Sequence, residues 1–589
     1  MKKLLDIVSN EIMSAFEKAG YSKELGNATW SNRPDLCEFQ CNGSLAGAKQ
    51  YKKAPVMIAN EVASLLENNE ILDDVNVVAP GFINFNINKT YLTKYLGDMM
   101  IMPKYGVENS EGQEEIVIDY GGPNVAKPLH VGHLRSAIIG ESIKRIARYA
   151  GHKVTGDIHL GDWGLQIGQI IAELEERKPD LVYFNADYKG EYPKEAPFTI
   201  SELEEIYPCA SGKSKADEAF KAKAMAATVK VQNMDAGCYA LWQHIISVSK
   251  EDLKKNYNKL GVEFDLWNGE SDVQPLIPDM VKYLKDNEYA YLSDGALVVD
   301  VVREDDNKEI PPCMILKSDG ASLYNTTDLA TIIDRMNNIK PNHLIYVVDK
   351  RQDLYFEQVF RCAKKTKLVN EDTKLDFLGF GTMNGKDGKP FKTRDGGVMR
   401  LEYLLGDIKE QMYKKIKENR VDISDEEAQE IAGIVSIAAI KYGDLSNQAS
   451  KDYIFDLDRF LSFEGDTGPY ILYTIVRIKS ILRKYAEMSG NIEDDRILEA
   501  TTPSQKALML EISKFNAIIE TSFNELAPHK ICAFVYDLAN ASNKFYHETK
   551  IISEPDEKLR GSYCKLLWLT QKILEEAIEL LGFSAPDKM

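Results

Sequence analysis

Near the amino end, Leu5, Val8, Ile12 and Phe16 recur at helical spacing and predict an amphipathic helix. The pattern changes between Val77 and Ile87. There Phe82, Asn84 and Asn86 alternate with Ile83, Phe85 and Ile87, and this period of two predicts a strand. A polar stretch from Glu108 to Glu115 reads as a linker. The apolar run Ile116 to Tyr120 suits a buried strand. A Gly-Gly-Pro-Asn loop and a helical pattern from about Leu129 to Ala150 follow, and Gly151 supplies the stop. His152 to Leu160 reads as the next strand, so a β-α-β unit opens a parallel-sheet α/β region. Residues 173–235 are charged and helical, as an insertion would be. Strand patterns return at Ala296 to Val302, His343 to Val348 and Leu375 to Phe380, and from about 400 onward the chain is helical with wide charged faces. The expected order is a small α+β domain over 1–106, an interrupted α/β domain over 107–400 and an all-helical domain over 401–589.

Length agrees with this division, since 589 residues exceed what one hydrophobic core holds. Apolar residues at 44% and charged residues at 28% exclude bulk disorder. The net charge of −19 excludes a generic polyanion binder, so any nucleic acid must meet a local basic face. No apolar run is long enough to span a membrane, and Asp6 and Glu11 interrupt any signal-peptide core. No membrane partner is expected. The eight cysteines are scattered, and only Cys37 and Cys41 lie close together. No second pair completes a zinc site, and the thiols fit a reducing, cytoplasmic setting.

Two motifs carry chemistry. His130 and His133 are three apart at a strand-to-helix junction, which puts both rings on one face of the first helical turn. Unpaired N–H groups and the helix dipole favour an anion there. Gly132 lies between them and permits close approach of a ligand, and Lys127 stands just upstream. Two imidazoles, a lysine and a helix N-terminus suit a triphosphate undergoing displacement. Taken alone, the pair fits helix capping or a partial metal site equally well. His159 opens a second element, His159-Leu160-Gly161-Asp162-Trp163-Gly164, whose glycines at a strand's carboxyl end fit a ligand crevice. Far downstream, Gly385 to Arg394 holds Lys386, Lys389, Lys392 and Arg394, four cations in nine residues of an acidic chain. A basic loop of this type clamps the β and γ phosphates of ATP and releases pyrophosphate. A solvated lysine loop is the plain alternative.

Together these motifs resemble the two signatures of class I aminoacyl-tRNA synthetases. His130-Val131-Gly132-His133 is similar to His-Ile-Gly-His. Lys389-Pro390-Phe391-Lys392-Thr393 is similar to Lys-Met-Ser-Lys-Ser and departs from it at the second, third and fifth positions. Within the class, the run Pro123 to Ser136, the stretch Gly161-Asp162-Trp163-Gly164-Leu165-Gln166, the segment Glu464 to Tyr470 and the ending Leu581 to Met589 resemble the arginyl-tRNA synthetase family, with Gly122 where serine is common. The resemblance covers essentially the whole chain.

That resemblance implies a Rossmann-like catalytic domain with an insertion around 173–235, an N-terminal tRNA-binding domain and a C-terminal helical anticodon-binding domain. It implies arginine–tRNA ligase activity in two steps, arginyl-adenylate formation and transfer to the 3′ end of tRNA(Arg). L-arginine and ATP with Mg²⁺ are the small substrates, no structural zinc is expected, and nothing demands more than a monomer. His130, Gly132 and His133 would meet the ATP α-phosphate region, Lys389 and Lys392 the leaving pyrophosphate, and Lys127 would add a cation. Guanidinium selection needs carboxylates that match its planar fork. Glu270 follows a turn, and Tyr324 and Asp328 share one helix face by spacing. Matched to the family, Glu270 and Asp328 would hold the guanidinium, Tyr324 would wall the pocket, and Asn124 and Gln352 would bind the α-amino and carboxylate end. An N-cap for Asp328 and a surface turn for Glu270 are the bland readings.

The flanking regions offer Lys49, Lys52 and Lys53 for the tRNA elbow. Tyr470, Tyr473, Arg477, Lys479, Arg483, Lys544 and Tyr546 suit unstacked anticodon bases, with core packing the rival for each tyrosine. Two other classes stay open: a nucleotidylyltransferase-type enzyme, which would lack the helical C-terminal region, and a catalytically silent synthetase paralogue acting as a tRNA-binding module.

Overall fold

The computed structural model describes residues 1–110, 112–127, 129–389, 400–420, 423–488 and 490–589. By contacts the chain divides into two compact units. The first comprises Met1–Asn109, Phe463–Glu579 and Ser584–Met589; the second comprises Ser110–Ser462 and Leu580–Phe583.

In the first unit, helix Leu4–Lys18 buries Leu4, Val8, Ile12, Ala15 and Phe16. The buried stripe starts at Leu4 rather than Leu5, because Leu4 lies one turn before Val8. Strands β1 (Ala28–Trp30), β2 (Phe39–Cys41), β3 (Leu72–Val78) and β4 (Phe82–Ile87) form an antiparallel sheet in the order β1-β2-β4-β3. The expected strand Val77 to Ile87 is therefore two strands. Pro80 and Gly81 turn the chain, so Val78 pairs with Phe82. Of the second half, Ile83, Phe85 and Ile87 are fully buried as the period of two predicts, but Asn84 on the opposite face is buried too, where its Oδ1 accepts from Gln40 Nε2 at 2.9 Å. Helices Gly468–Glu487, Pro503–Ser513, Phe515–Asn524 and His529–Glu548 belong to the same unit. Lys506 joins the two sequence regions, through Glu38 at 2.6 Å and the Ile87 carbonyl at 2.9 Å.

The second unit is built on four parallel strands, β5 (Glu115–Tyr120), β6 (Lys153–Asp157), β10 (His343–Asp349) and β11 (Lys374–Phe380), in the order β11-β10-β5-β6. The apolar runs of β5 and β10 are buried because helices cover the faces, whereas β11, at the sheet's edge, is mostly half-buried. Val117, Leu329, Ile332, Leu344, Val359 and Ala363 share one core. The β5-to-β6 crossover is helix Val131–Tyr149, which ends before Gly151 at φ +93°. Helices Leu165–Arg177, Ile200–Ala216, Glu218–Gln232 and Ala236–Lys259 make the excursion before the sheet resumes, so the helical run extends past 235. The strand expected over 296–302 stops at Val299 and lies outside the parallel sheet. It is β8 (Ala296–Val299) of an antiparallel meander with β7 (Ala290–Ser293) and β9 (Cys313–Leu316).

Helices Leu401–Asn419 and Asp425–Leu445 are part of the second unit. So is the short segment Leu580–Phe583. The Leu580 carbonyl accepts from Ser142 at 2.9 Å, and the Gly582 carbonyl accepts from the buried Lys441 ammonium at 2.6 Å. Among the described residues, no helix is long and apolar enough to cross a membrane.

Candidate active site

In the parallel sheet the chain leaves β5 toward β6 on one side and returns to β10 on the other, which leaves a crevice at the strands' carboxyl ends. A cleft of about 640 Å³ lies there, walled by Tyr120 to Gly122, Val347 to Asp349 and Phe380. His130, Gly132, His133, His159, Tyr324, Asp328, Gln352 and Tyr355 also line it, so one cleft gathers residues that the sequence spreads over 226 positions.

The histidines sit at the start of helix Val131–Tyr149 with ring centroids 3.8 Å apart. His130 Nδ1 accepts from the Gly132 N–H at 3.0 Å, and His133 Nδ1 accepts from the His130 N–H at 3.2 Å. Each ring thereby caps the helix end and carries its own proton on Nε2. The capping reading and the ligand reading are thus compatible. Burial, helped by Lys127, lowers the His130 pKa. Burial, then His130 and Lys127, pushes His133 down to about 3. Both imidazoles are neutral N–H donors at pH 7. A Cβ on Gly132 would lie 2.7 Å from His130 Cε1, so the missing side chain makes room for that ring. Lys127 Nζ stands 4.7 Å from the Tyr207 ring centroid on the insertion helix Ile200–Ala216 and does not line the cleft.

The acidic side is assembled from separate elements. Asp328 lies on helix Tyr324–Asn338, which Arg335 fastens to the sheet: its Nη2 reaches Asp119 at 2.6 Å and Asp157 at 2.7 Å, and its Nη1 donates to the Tyr346 hydroxyl at 3.1 Å. Tyr355 donates its hydroxyl proton to Asp328 Oδ2. Burial raises the Asp328 pKa, against the pull of His159 and the Tyr355 bond. Glu270 is held by its backbone, with its N–H on the Leu160 carbonyl at 3.0 Å. Burial pushes its carboxyl up to about 7, with Asp162 and Asp328 adding repulsion and His159 opposing it. Asp162 accepts from the Ser271 N–H at 2.9 Å and Oγ at 2.6 Å, and burial raises its pKa. Asp328 lines the cleft and Glu270 does not; burial of both carboxyls, and the repulsion Asp328 exerts on Glu270, would be relieved by a neighbouring cation.

Tyr324 is 70% exposed at the rim, and Gln352 precedes helix Asp353–Lys365 at the cleft's edge. Asn124 is bridged to Gly161 beside the crevice. Lys389 is exposed in a turn closed by the Gly385 N–H on its carbonyl at 2.8 Å. Lys392 lies outside the described residues. Sequence reasoning missed Tyr355 and Asp119. Neither sits in a motif, and only the fold brings them to the cleft. The element His159 to Gly164 reads in sequence as part of a ligand crevice, but neither His159 nor Asp162 has a role of its own there.

In the first unit, Arg477 stacks against Tyr473 at 4.8 Å and Tyr546 at 5.3 Å, and both rings are exposed in part. Tyr470 is engaged internally with Asn540 and Asn543, and Lys479 with Glu575. Lys49 and Lys52 are exposed, whereas Lys53 pairs with Glu61 at 2.5 Å.

Three family models match the chain in turn: the arginyl-tRNA synthetase N-terminal domain over 2–87, the class I (R) tRNA synthetase catalytic domain over 98–457, and the DALR anticodon-binding domain over 471–589. The arginine–tRNA ligase of Agathobacter rectalis is 61% identical, and that of Alkaliphilus oremlandii 56%, each over the full length of both chains. Among solved structures, the arginyl-tRNA synthetase of Plasmodium falciparum superposes with a TM-score of 0.82 at 26% identity over all of both chains. That of Thermus thermophilus shares the fold, with a TM-score of 0.77 at 22% identity over 99% of this chain and 100% of its own. With the cleft at the switch point, the paired imidazoles and full-length relatives of one kind, the chain belongs to the arginyl-tRNA synthetase family of class I aminoacyl-tRNA synthetases.

Proposed function

We propose that the cleft activates L-arginine with ATP and passes the arginyl group to the 3′ end of tRNA(Arg), with roles divided along the cleft's two sides. The observation that carries this division is that two neutral Nε2–H imidazoles and the Asp328 carboxylate line one cleft, with the Glu270 carboxyl close enough to Asp328 to be repelled by it. The arginine guanidinium lies against Asp328 and Glu270, which satisfy its planar fork of donors. Tyr355 occupies one oxygen of Asp328 and holds the carboxylate's orientation. Tyr324 closes the rim, and Asn124 and Gln352 fix the α-amino and carboxylate end.

The arginine carboxylate attacks the ATP α-phosphorus, the bond to the bridging oxygen breaks, and pyrophosphate leaves. No protein nucleophile is needed. His130 and His133 donate from Nε2 to oxygens whose charge grows in that step. Lys389, with Lys392, neutralises the leaving pyrophosphate, and Lys127 acts at longer range, since its ammonium faces Tyr207. ATP enters as its Mg²⁺ complex, with the ion carried by the substrate phosphates. Attack of a ribose hydroxyl of the tRNA end on the adenylate carbonyl then releases AMP.

The tRNA meets exposed cations of the N-terminal region, Lys49 and Lys52, and the Tyr473–Arg477–Tyr546 stack, which offers faces for unpaired bases. The protein acts as a monomer in the cytoplasm. Arginine-dependent ATP–pyrophosphate exchange, run with each of the twenty amino acids and with and without tRNA, tests the reading. Exchange with arginine alone among the amino acids is expected, and it should require tRNA. Exchange with lysine, or none with arginine, would refute it.

A further inference from the structure

Arg135 lies two residues beyond His133 on the same helix and is 2% exposed. Its Nε donates to Asp444 Oδ1 at 3.0 Å. Its Nη1 donates to the Gly381 carbonyl at 2.6 Å and the Lys451 carbonyl at 3.1 Å, and the guanidinium sits 5.0 Å from the Tyr453 ring centroid. Gly381 and Lys451 stand two residues before strands β12 (Met383–Asn384) and β13 (Tyr453–Ile454), which pair in parallel. More bonds close the same frame. The Gly381 N–H donates to the Ala449 carbonyl at 2.9 Å, and the Thr382 N–H donates to Asp452 at 2.7 Å. Lys350, at the end of β10, also binds Asp452, at 2.7 Å. Lys386 pairs with Asp456 at 3.1 Å and Asp458 at 3.0 Å.

The segment that leads to Lys389 is therefore rooted on Arg135. Beyond it, Arg400 bridges to His130, and the Leu401 N–H donates to the Leu129 carbonyl at 2.8 Å. The chain before Lys389 and the chain at Arg400 are both fastened to the start of one helix, the helix that carries the two imidazoles. A buried guanidinium is a costly way to fill space, and an apolar side chain would pack these elements at lower cost. What the fork supplies is direction, because its donors are fixed in one plane and must meet a carboxylate and two carbonyls at once.

We infer that Arg135 is a positioning residue for adenylate formation: with Asp444, it sets the distance between the imidazole pair and the root of the Lys389 turn. The inference rests on the roles given above to His133 and Lys389. Displacing one catalytic group by about an ångström costs on the order of a hundredfold in rate, so a buried pair that fixes this spacing acts on rate without touching substrate.

The test uses the full-length protein with Asp444→Asn, which keeps shape and removes charge, and Arg135→Lys, which keeps charge and removes the fork. Single-turnover adenylate formation is measured with tRNA present, together with KM for ATP and arginine and hydrogen exchange of the amides from Thr382 to Gly388. The expected result is a rate at least about tenfold lower in both variants, an arginine KM within about twofold of the parent, and faster exchange at 382–388. Lys389→Ala should lower the rate with exchange at 382–384 unchanged. Faster exchange with an unchanged rate in Asp444→Asn would overturn the inference and leave a purely structural pair. If Arg135→Lys does not fold, Asp444→Asn decides alone. If His133→Ala and Lys389→Ala leave the rate intact, the phosphate-site reading fails instead, and that failure is separate from the outcome at Asp444.

Discussion

Each histidine of the pair uses Nδ1 to cap its helix, so the proton that can reach a ligand is on Nε2. His133→Ala removes that donor from a site where charge develops. Adenylate formation should fall by roughly a hundred- to a thousandfold in single-turnover assays while the circular dichroism stays unchanged. Glu270 governs a pH effect. Its carboxyl is pushed up to about 7 from 4.5, so below neutrality a proton must leave before a guanidinium can be paired. The arginine KM should therefore fall as pH rises from about 6 to about 8, and Glu270→Gln should flatten that dependence. The same shift acts on stability. Between 4.5 and about 7 the folded state holds more of this proton than the unfolded state, so the Glu270 contribution weakens the fold as pH rises through that window. Asp328→Asn turns an acceptor into an amide beside a guanidinium. It should raise arginine KM with a cost of about 2–5 kcal/mol, read from steady-state kinetics, with ATP KM little changed. His130, Gly132 and His133 were legible in the sequence because they are neighbours on one helical turn. Tyr355 and Asp119 were not, because a strand and a distant helix bring them to the cleft. Lys127 reads in sequence as a phosphate cation, but it stands over Tyr207, a ring that no local pattern places beside it.

At the scale of elements, the alternation of Ile83, Phe85 and Ile87 was sufficient to give β4, while the turn at Pro80 and Gly81 had to be seen to separate it from β3. The strands β5, β10 and β11 were legible as short apolar runs. Their order was not, since pairing between distant strands leaves no local trace. Helix Tyr324–Asn338 shows how position is enforced. Arg335, 1% exposed, ties it to carboxylates on two neighbouring strands. Arg335→Met would leave Asp119 and Asp157 facing each other without their cation. A loss of about 3–5 kcal/mol is expected in urea denaturation, with arginine KM raised because Asp328 rides on the same helix. Equal unfolding midpoints in the two proteins would count against this account.

For the whole molecule, net charge sets how tRNA is held. A chain of −19 attracts a polyanion only through local cations, so the affinity for tRNA should fall steeply as KCl rises. Replacing both Lys49 and Lys52 by Ala should flatten the slope of log Kd against log salt, measured by filter binding, with pyrophosphate exchange at saturating tRNA preserved. Composition and pattern along the chain led to three expected regions, the last from 401 onward, whereas by contacts residues 401–462 belong to the second unit. That the helices over 463–579 share a compact unit with residues 1–109 was not legible, because the contacts that make it so, such as Lys506 with Glu38, join residues hundreds of positions apart. The same holds for Leu580–Phe583, whose backbone carbonyls receive Ser142 and Lys441 in the second unit. This feature sets an order of events during synthesis. Residues 110–462 leave the ribosome more than a hundred positions before Gly582 does, on the order of ten seconds earlier at ~5–20 residues per second. Throughout that interval the Lys441 ammonium lacks the Gly582 carbonyl, so the catalytic unit reaches its final packing only after the intervening helices have been made. A nascent chain stalled between 462 and 580 should be cleaved within the helix Asp425–Leu445 by a dilute protease that leaves the released protein intact.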